Sequence, residues 1–360
     1  METLWQDLCY GLRMMSKKPG FTAVAVFTLA LGIGANTSIF SLVYSVVFRP
    51  LPYRAPEELV RLKATLPRRN AFDLTVSYPT FRDWKEHSTA FAHVSAYAAG
   101  ARGLNLTDGD RPERILTLDV SEEVFSMLGI NPALGRAFVA EEARQGAKVV
   151  IISHELWRRK FQGDPNLIGK AVTLDGRART VIGIMPPGFQ FPPNVSSRID
   201  LWTPLAPNQD RGDSFLLVVA RMKPGVTQAA AQAEMDVLEA RLDEKKRGEG
   251  ISLISLHEDV VGQIRQALFL FLGAVGFVLP IACANLANLT LAQALGRRKE
   301  IWIRVSLGAS RGRLVRQMLT ESVALSGLGG GCGLLLAHWG TGLSEFKKSL
   351  AGDRWSQFQH

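Results

Sequence analysis

The sequence predicts a membrane α-helical protein with three spans and a large mixed α/β extracytoplasmic domain. Two long uncharged stretches and one basic loop carry that prediction. Phe21 to Phe48 and Gln266 to Gly296 are apolar over 28 and 31 residues, where roughly 20 residues of helix cross a bilayer core. Ser322 to Ser344 is a third, glycine-rich stretch of 23 residues. Between the first two lie 217 residues, enough for one large or two small cores.

Charge placement assigns the sides. The 360-residue chain has a net charge of +9, yet residues 49–265 hold 29 Lys+Arg against 27 Asp+Glu. Residues 297–321 hold seven against two. A nucleic-acid binder would carry its excess on the folded domain, which argues against nucleic acid as a partner. The positive-inside rule instead puts Arg297, Arg298, Lys299, Arg304, Arg311, Arg313 and Arg316 in the cytoplasm, along with Arg13, Lys17 and Lys18 at the N-terminus. Both clusters leave 49–265 outside. That domain has no cysteine, since the three are Cys9, Cys283 and Cys332, so its core must hold it without disulfides.

Residues 1–20 read as a cytoplasmic lead-in. Trp5, Leu8, Leu12 and Met15 recur at helical spacing, which suits an amphipathic helix on the membrane face. The first span, 21–48, is nearly twice the length of a signal-peptide apolar region. Arg49-Pro50-Leu51-Pro52 follows it, with no small-residue cleavage pattern.

In the outer domain, strands are expected at 58–64, 93–98, 112–119, 148–152, 170–174, 179–185, 215–222 and 251–256. Helices are expected at 79–87, 121–128, 153–161 and 227–246, the last with Met235, Leu238 and Leu242 as its apolar stripe. Leu174-Asp175-Gly176-Arg177 reads as a hairpin turn. The loops 186–194 and 204–213 are candidate boundaries between two lobes.

The second span, 266–296, carries Pro280 and then Asn285 and Asn288 on one face. Asparagine at membrane depth usually hydrogen-bonds a neighbouring helix, so both are assigned to helix packing rather than to substrate. The third span, 322–344, has two overlapping GxxxG spacings, one of them Gly329 to Gly333. Small residues there let helix backbones approach closely.

Several chemistries have no matching pattern. The chain has no Walker A sequence and no HExxH, and the cysteine spacing fits no metal site. Gly308-Ala309-Ser310-Arg311-Gly312 spells GxSxG, but it sits in a basic loop between helical segments, without the strand-to-helix turn that a nucleophile elbow needs. No enzyme activity, metal or cofactor is expected of this chain.

RRKEIWIRVSLGASRGRLVRQMLTES, Arg297 to Ser322, resembles the cytoplasmic loop of FtsX/MacB-type ABC transporter permeases. The opening LWQDLCYGLRMMSKKPGFTAVAVFTLALGIGANTSIFSLVYSVVFRPLPY is similar to the N-terminus of the duplicated MacB-like permeases of acidobacteria. SYPTFRDW (77–84), LGINPALGRAF (128–138), ISHELWRRKF (152–161) and VIGIMPPGFQFP (181–192) resemble the periplasmic core domain of that family. The resemblance covers residues 3 to about 343. It implies a permease in the bacterial inner membrane, with 49–265 periplasmic and 266–344 the start of an FtsX-like domain.

By the same resemblance, ATP is bound by a separate ABC subunit, and the loop 297–321 couples to it. Glu300, Ile301, Arg304, Leu307, Gly308 and Ala309 match the contact region. The family mechanism is transmission of ATP-driven motion through the membrane helices to the periplasmic domain, in efflux or export, with a second permease half as partner in the bilayer. Family permeases have at least four spans, whereas a polar tail, 345–360, follows the third here. A truncated, inactive permease is therefore one alternative expectation. A non-transporting FtsX-like mechanotransmitter acting on an outer partner protein is the other.

Overall fold

The computed structural model describes residues 19–66, 70–108, 112–144, 148–193, 198–242, 250–296, 316, 319–320, 322–336 and 338. In chain order these form α1 (Pro19–Val43), β1 (Leu59–Leu66), β2 (Ala71–Leu74), β3 (Val76–Ser77), α2 (Tyr78–His87), β4 (Phe91–Ala98), β5 (Arg102–Leu106), β6 (Glu113–Val120) and α3 (Val124–Leu128). Then come β7 (Leu134–Gly135), α4 (Ala140–Arg144), β8 (Val149–Ile152), α5 (His154–Phe161), β9 (Ala171–Leu174), β10 (Arg177–Ile184), β11 (Leu201–Pro204) and β12 (Ser214–Met222). The last are α6 (Gln228–Leu242), β13 (Gly250–Ser255), α7 (Leu256–Gly296) and α8 (Ser322–Leu336). Two compact units result: Pro50–Gly262, and the helical residues on either side of it.

The eight expected strands all form, as β1, β4, β6, β8, β9, β10, β12 and β13, each within two residues of its expected ends. The four expected helices form as α2, α3, α5 and α6, with the last described as far as Leu242. Local chemistry explains their starts. Ser77 caps α2 by accepting from Thr80 N, and Ser153 caps α5 by accepting from Leu156 N. The hairpin turn is also present: Asp175 and Gly176 both have positive φ, as the tight two-residue connection of β9 and β10 requires.

The strands form two lobes. In the first, β13, β1, β12 and β4 run antiparallel in that order, and α2 and α6 cover one face. The apolar side chains alternate, so Val60, Leu62, Val218, Ala220, Val94 and Ala96 face Phe81, Trp84, Ala231 and Met235. In the second lobe, β6, β5, β9, β10, β8 and β11 follow one another, and β11 pairs back onto β6. This closes a six-stranded ring around Leu106, Ile115, Ile152, Val172, Val181 and Leu201, with Leu156 of α5 in the same core. A third, aromatic core includes Tyr53, Leu59, Tyr97, Phe125, Phe189, Phe191, Trp202 and Leu256. Between β4 and β6 the sheet is continued by the pair Tyr97↔Val120. The loop after β11 does carry the chain back to the first lobe, as one of the two candidate boundaries. The loop 186–194 does not; it delivers Phe189 and Phe191 into the aromatic core.

Strand β13 ends the sheet, where an unpaired backbone edge invites pairing with other chains. Glutamines of α6 occupy it. Gln232 donates to Ile251 O at 2.9 Å and accepts from Leu253 N at 2.7 Å, while Gln228 donates to Leu253 O at 2.8 Å. Gln232→Ala should speed amide exchange at Leu253 by about tenfold, the worth of one hydrogen bond. Unchanged exchange at Leu253 would refute this role.

In the helical unit, α1 and a following π turn reach Phe48, the end of the first apolar stretch. Pro19–Val43 and Ile264–Ala292 are long and apolar enough to cross a membrane. α8 is apolar but 15 residues long as described, so it falls short of the expected third span of 322–344. Residues 337 and 339–344 lie outside the described residues.

Candidate functional site

Pro50–Gly262 is tied down both where the chain leaves it and where the chain enters it. At the exit, α7 begins ten residues before the apolar stretch at Gln266, because Leu256 and Val261 pack inward while Glu258 and Asp259 suit the positive end of a helix. Asp259 is the hold. Arg61 Nη1 donates to its Oδ2 at 2.7 Å and its Oδ1 at 2.9 Å, and Lys63 Nζ lies 2.7 Å from Oδ1. Asp73 of β2 accepts from Arg61 Nη2 at 2.7 Å and from Lys63 Nζ at 3.0 Å. Two cations of β1 thus face two carboxylates, and the Asp259 side chain is 3% exposed. Burial pulls the Arg61 guanidinium down, but the hydrogen bond and charge of Asp259 outweigh this and hold it above its ordinary value.

At the entrance, Arg221 of β12 is the hold. Its Nε donates to Met127 O at 2.8 Å. Nη1 donates to Ala55 O at 3.1 Å and to Glu58 Oε2 at 2.8 Å, and Nη2 donates to Arg54 O. The planar guanidinium therefore ties the incoming residues 54–58 to the end of α3. Arg54 N closes the same junction by donating to Leu128 O at 3.1 Å. Gly129 completes it. At φ 70 it is left-handed, and a methyl group there would stand 2.5 Å from Arg54 Cβ, so a side chain has no room. Tyr53 Oη donates to Gln190 O at 2.8 Å, and burial raises its pKa, which keeps the hydroxyl a donor.

In the helical unit, α1 and α8 meet backbone to backbone. A methyl group on Gly34 would lie 3.0 Å from Gly333 O, and one on Gly333 would lie 3.1 Å from Ala30 O. Gly329 faces Leu29, where a methyl would come within 2.6 Å of its Cβ. Asn36 of α1 donates to Val275 O of α7 at 3.1 Å.

The family described as MacB-like periplasmic core domain matches residues 22–238, and the FtsX-like permease C-terminal family matches residues 272–358. The chain belongs to the MacB/FtsX family of ABC permeases. Among its relatives, the macrolide export ATP-binding/permease protein MacB of Burkholderia thailandensis is 27% identical over 265 residues, 72% of this chain and 40% of its own. The MacB of Neisseria meningitidis serogroup A is 27% identical over 254 residues, 67% of this chain and 38% of its own. The chain thus spans about 40% of the length of the curated relatives it matches. Among solved structures, a domain of a permease protein from Porphyromonas gingivalis has a TM-score of 0.44 at 19% identity, covering 56% of this chain and 92% of that one. The periplasmic region of MacB from Actinobacillus actinomycetemcomitans has a TM-score of 0.43 at 14% identity, covering 63% and 97%. This MacB-like permease is an inner-membrane protein with a periplasmic domain.

The site residues assigned from sequence divide into two groups. Glu300, Ile301, Arg304, Leu307, Gly308 and Ala309 lie outside the described residues. Gly329 and Gly333 sit on α8 where it meets α1. Asn285 and Asn288 are exposed on α7, and their side chains make no hydrogen bond to another helix among the described residues. Among the described residues the asparagine that bonds across helices is Asn36, which the same reasoning about polar groups in apolar runs picks out of the first span. Nothing in the MacB-like sequence marks Arg61, Lys63, Asp259 or Arg221, because a lone charge in a strand or first helical turn reads as a solvated face.

Proposed function

We propose that this chain is the permease part of an ABC transporter in which a separate ATP-binding subunit drives movement of the periplasmic domain, and that this movement serves export. The observation that carries the reading is the buried Asp259 clamp at the first turn of α7. α7 is one helix from Leu256 to Gly296. In this reading a displacement of the first turns of α7 reaches β1 through ion pairs. In this reading α8 belongs to a third span, and the loop 297–321 docks on the ATP-binding subunit through Glu300, Ile301, Arg304, Leu307, Gly308 and Ala309. Ile301 enters a groove there while the arginines meet an acidic rim.

The test is co-purification from membranes. The full chain should bring down an ABC ATP-binding subunit, and the double variant Glu300→Lys, Arg304→Glu should reduce its recovery at least tenfold. Recovery at the wild-type level would remove the docking assignment.

A further inference from the structure

α1 lies along α7 across Pro280. On the N-terminal side of the proline, Asn36 Nδ2 donates to Val275 O at 3.1 Å as well as to Gly32 O of its own helix at 2.9 Å. Gly32 packs across the proline itself, against Leu279 before it and Ala282 after it, and a methyl group on Gly32 would meet Ala282 Cβ at 3.4 Å. Pro280 has no amide hydrogen, so Gly276 O lacks its usual donor four residues on, and the ring crowds that carbonyl. Gly273 and Gly276 put no side chain on this turn, and the space beside each is open. The helix is thus at its weakest from Gly276 to Pro280, and Asn36 binds the carbonyl next to that point.

We propose that Gly276–Pro280 is a hinge in α7 and that Asn36 is a positioning residue that latches it. Asn36 grips a main-chain carbonyl rather than a side chain. The position of that carbonyl changes whenever the helix bends, so the bond resists bending directly. Interhelical hydrogen bonds in membranes bias a two-state equilibrium by roughly three- to thirtyfold. That is enough to favour one bend and weak enough for a partner to reverse. The inference rests on the reading of α7 as the transmitting helix and deepens it.

The experiment uses the full chain in lipid nanodiscs, with Cys9, Cys283 and Cys332 replaced by serine. Spin labels are placed at Ile264→Cys and Leu291→Cys, both exposed positions on α7. These are about 40 Å apart along a straight helix. The chain with Asn36 should give a distribution dominated by one narrow distance, with a minor second component. Asn36→Leu should raise that second population at least threefold, and Pro280→Ala in the same chain should abolish it. A distribution that Asn36→Leu leaves unchanged, or broadens equally in the Pro280→Ala background, overturns the latch. If Asn36→Leu fails to insert, Pro280→Ala alone decides, since it must lengthen the 264–291 distance and an unchanged distance sinks the hinge. The readout is helix shape, with no ATP-binding subunit or substrate present, so its failure is distinct from a failure of the proposed function.

Discussion

Asp259→Ala is expected to destabilise the periplasmic domain by about 3–5 kcal/mol, because it strands two cations in a buried place. Arg61 and Lys63 have side chains only 7% and 13% exposed, and Asp73 is left to neutralise both. For a domain of this size the loss corresponds to roughly 10 °C in melting temperature, read by tryptophan fluorescence of the full chain. Asp73→Asn is the control. Its side chain is 39% exposed, so solvent screens it and the effect should stay within about 1 kcal/mol. A shift for Asp259→Ala no larger than the control's would show that the clamp holds nothing. Arg61→Leu with Asp259→Leu removes both charges of the most buried pair and leaves Lys63 beside Asp73 at 3.0 Å. That double variant should melt close to wild type, since replacing a buried pair is far cheaper than halving it. Under the proposed function it should still weaken export, because apolar contact grips the first turn of α7 less directionally than ion pairs do.

The second large effect is expected at the other end of the domain. Arg221→Met keeps much of the stem but removes the donors to Met127 O, Ala55 O and Arg54 O, and leaves Glu58 without its cation. Met127 O is buried and the other two carbonyls partly so; at about 1–3 kcal/mol for a buried carbonyl left unpaired and less for the others, the sum is on the order of 4 kcal/mol. The effect should be local as well as global. Hydrogen exchange at the Arg54 amide, bonded to Leu128 O, should speed up more than exchange in the closed six-stranded ring. Arg221→Lys should recover less than half of the loss. A single ammonium cannot serve acceptors on both α3 and the 54–58 segment as the planar fork does. Equal acceleration at Arg54 and throughout the ring would mean that Arg221 supports the core generally and not the entrance.

Strand positions were legible because alternation survives in a single chain. Leu59, Arg61 and Lys63 take one face of β1, and Val60 and Leu62 the other. The strands that went unrecognised are those with little pattern to show. β3 and β7 have two residues each, β2 and β11 four, and β5 reads Arg-Gly-Leu-Asn-Leu. They become strands because a neighbour supplies hydrogen bonds, as β6 does for β5 along five consecutive pairs. α7 starts ten residues before the apolar stretch for a related reason. Its first turns are polar by sequence and helical because Leu256 and Val261 have a core to enter.

What the sequence determined by itself was the layout: two long apolar segments, the mixed α/β domain between them, the basic loop after the second, and through its motifs the family. These follow from lengths and charge counts along the chain, measured against a bilayer and a membrane face, and need no partner residue. The tertiary structure alone decided where the domain is held. Arg61 and Asp259 are 198 positions apart, and Arg221 and Arg54 are 167 apart. An ion's contribution depends on what lies within about 3 Å of it and on how far water is excluded, and neither is written in its neighbours along the chain. The same holds for Asn36, a bland polar residue in an apolar run until the fold brings it to Val275, five residues before the one proline of α7.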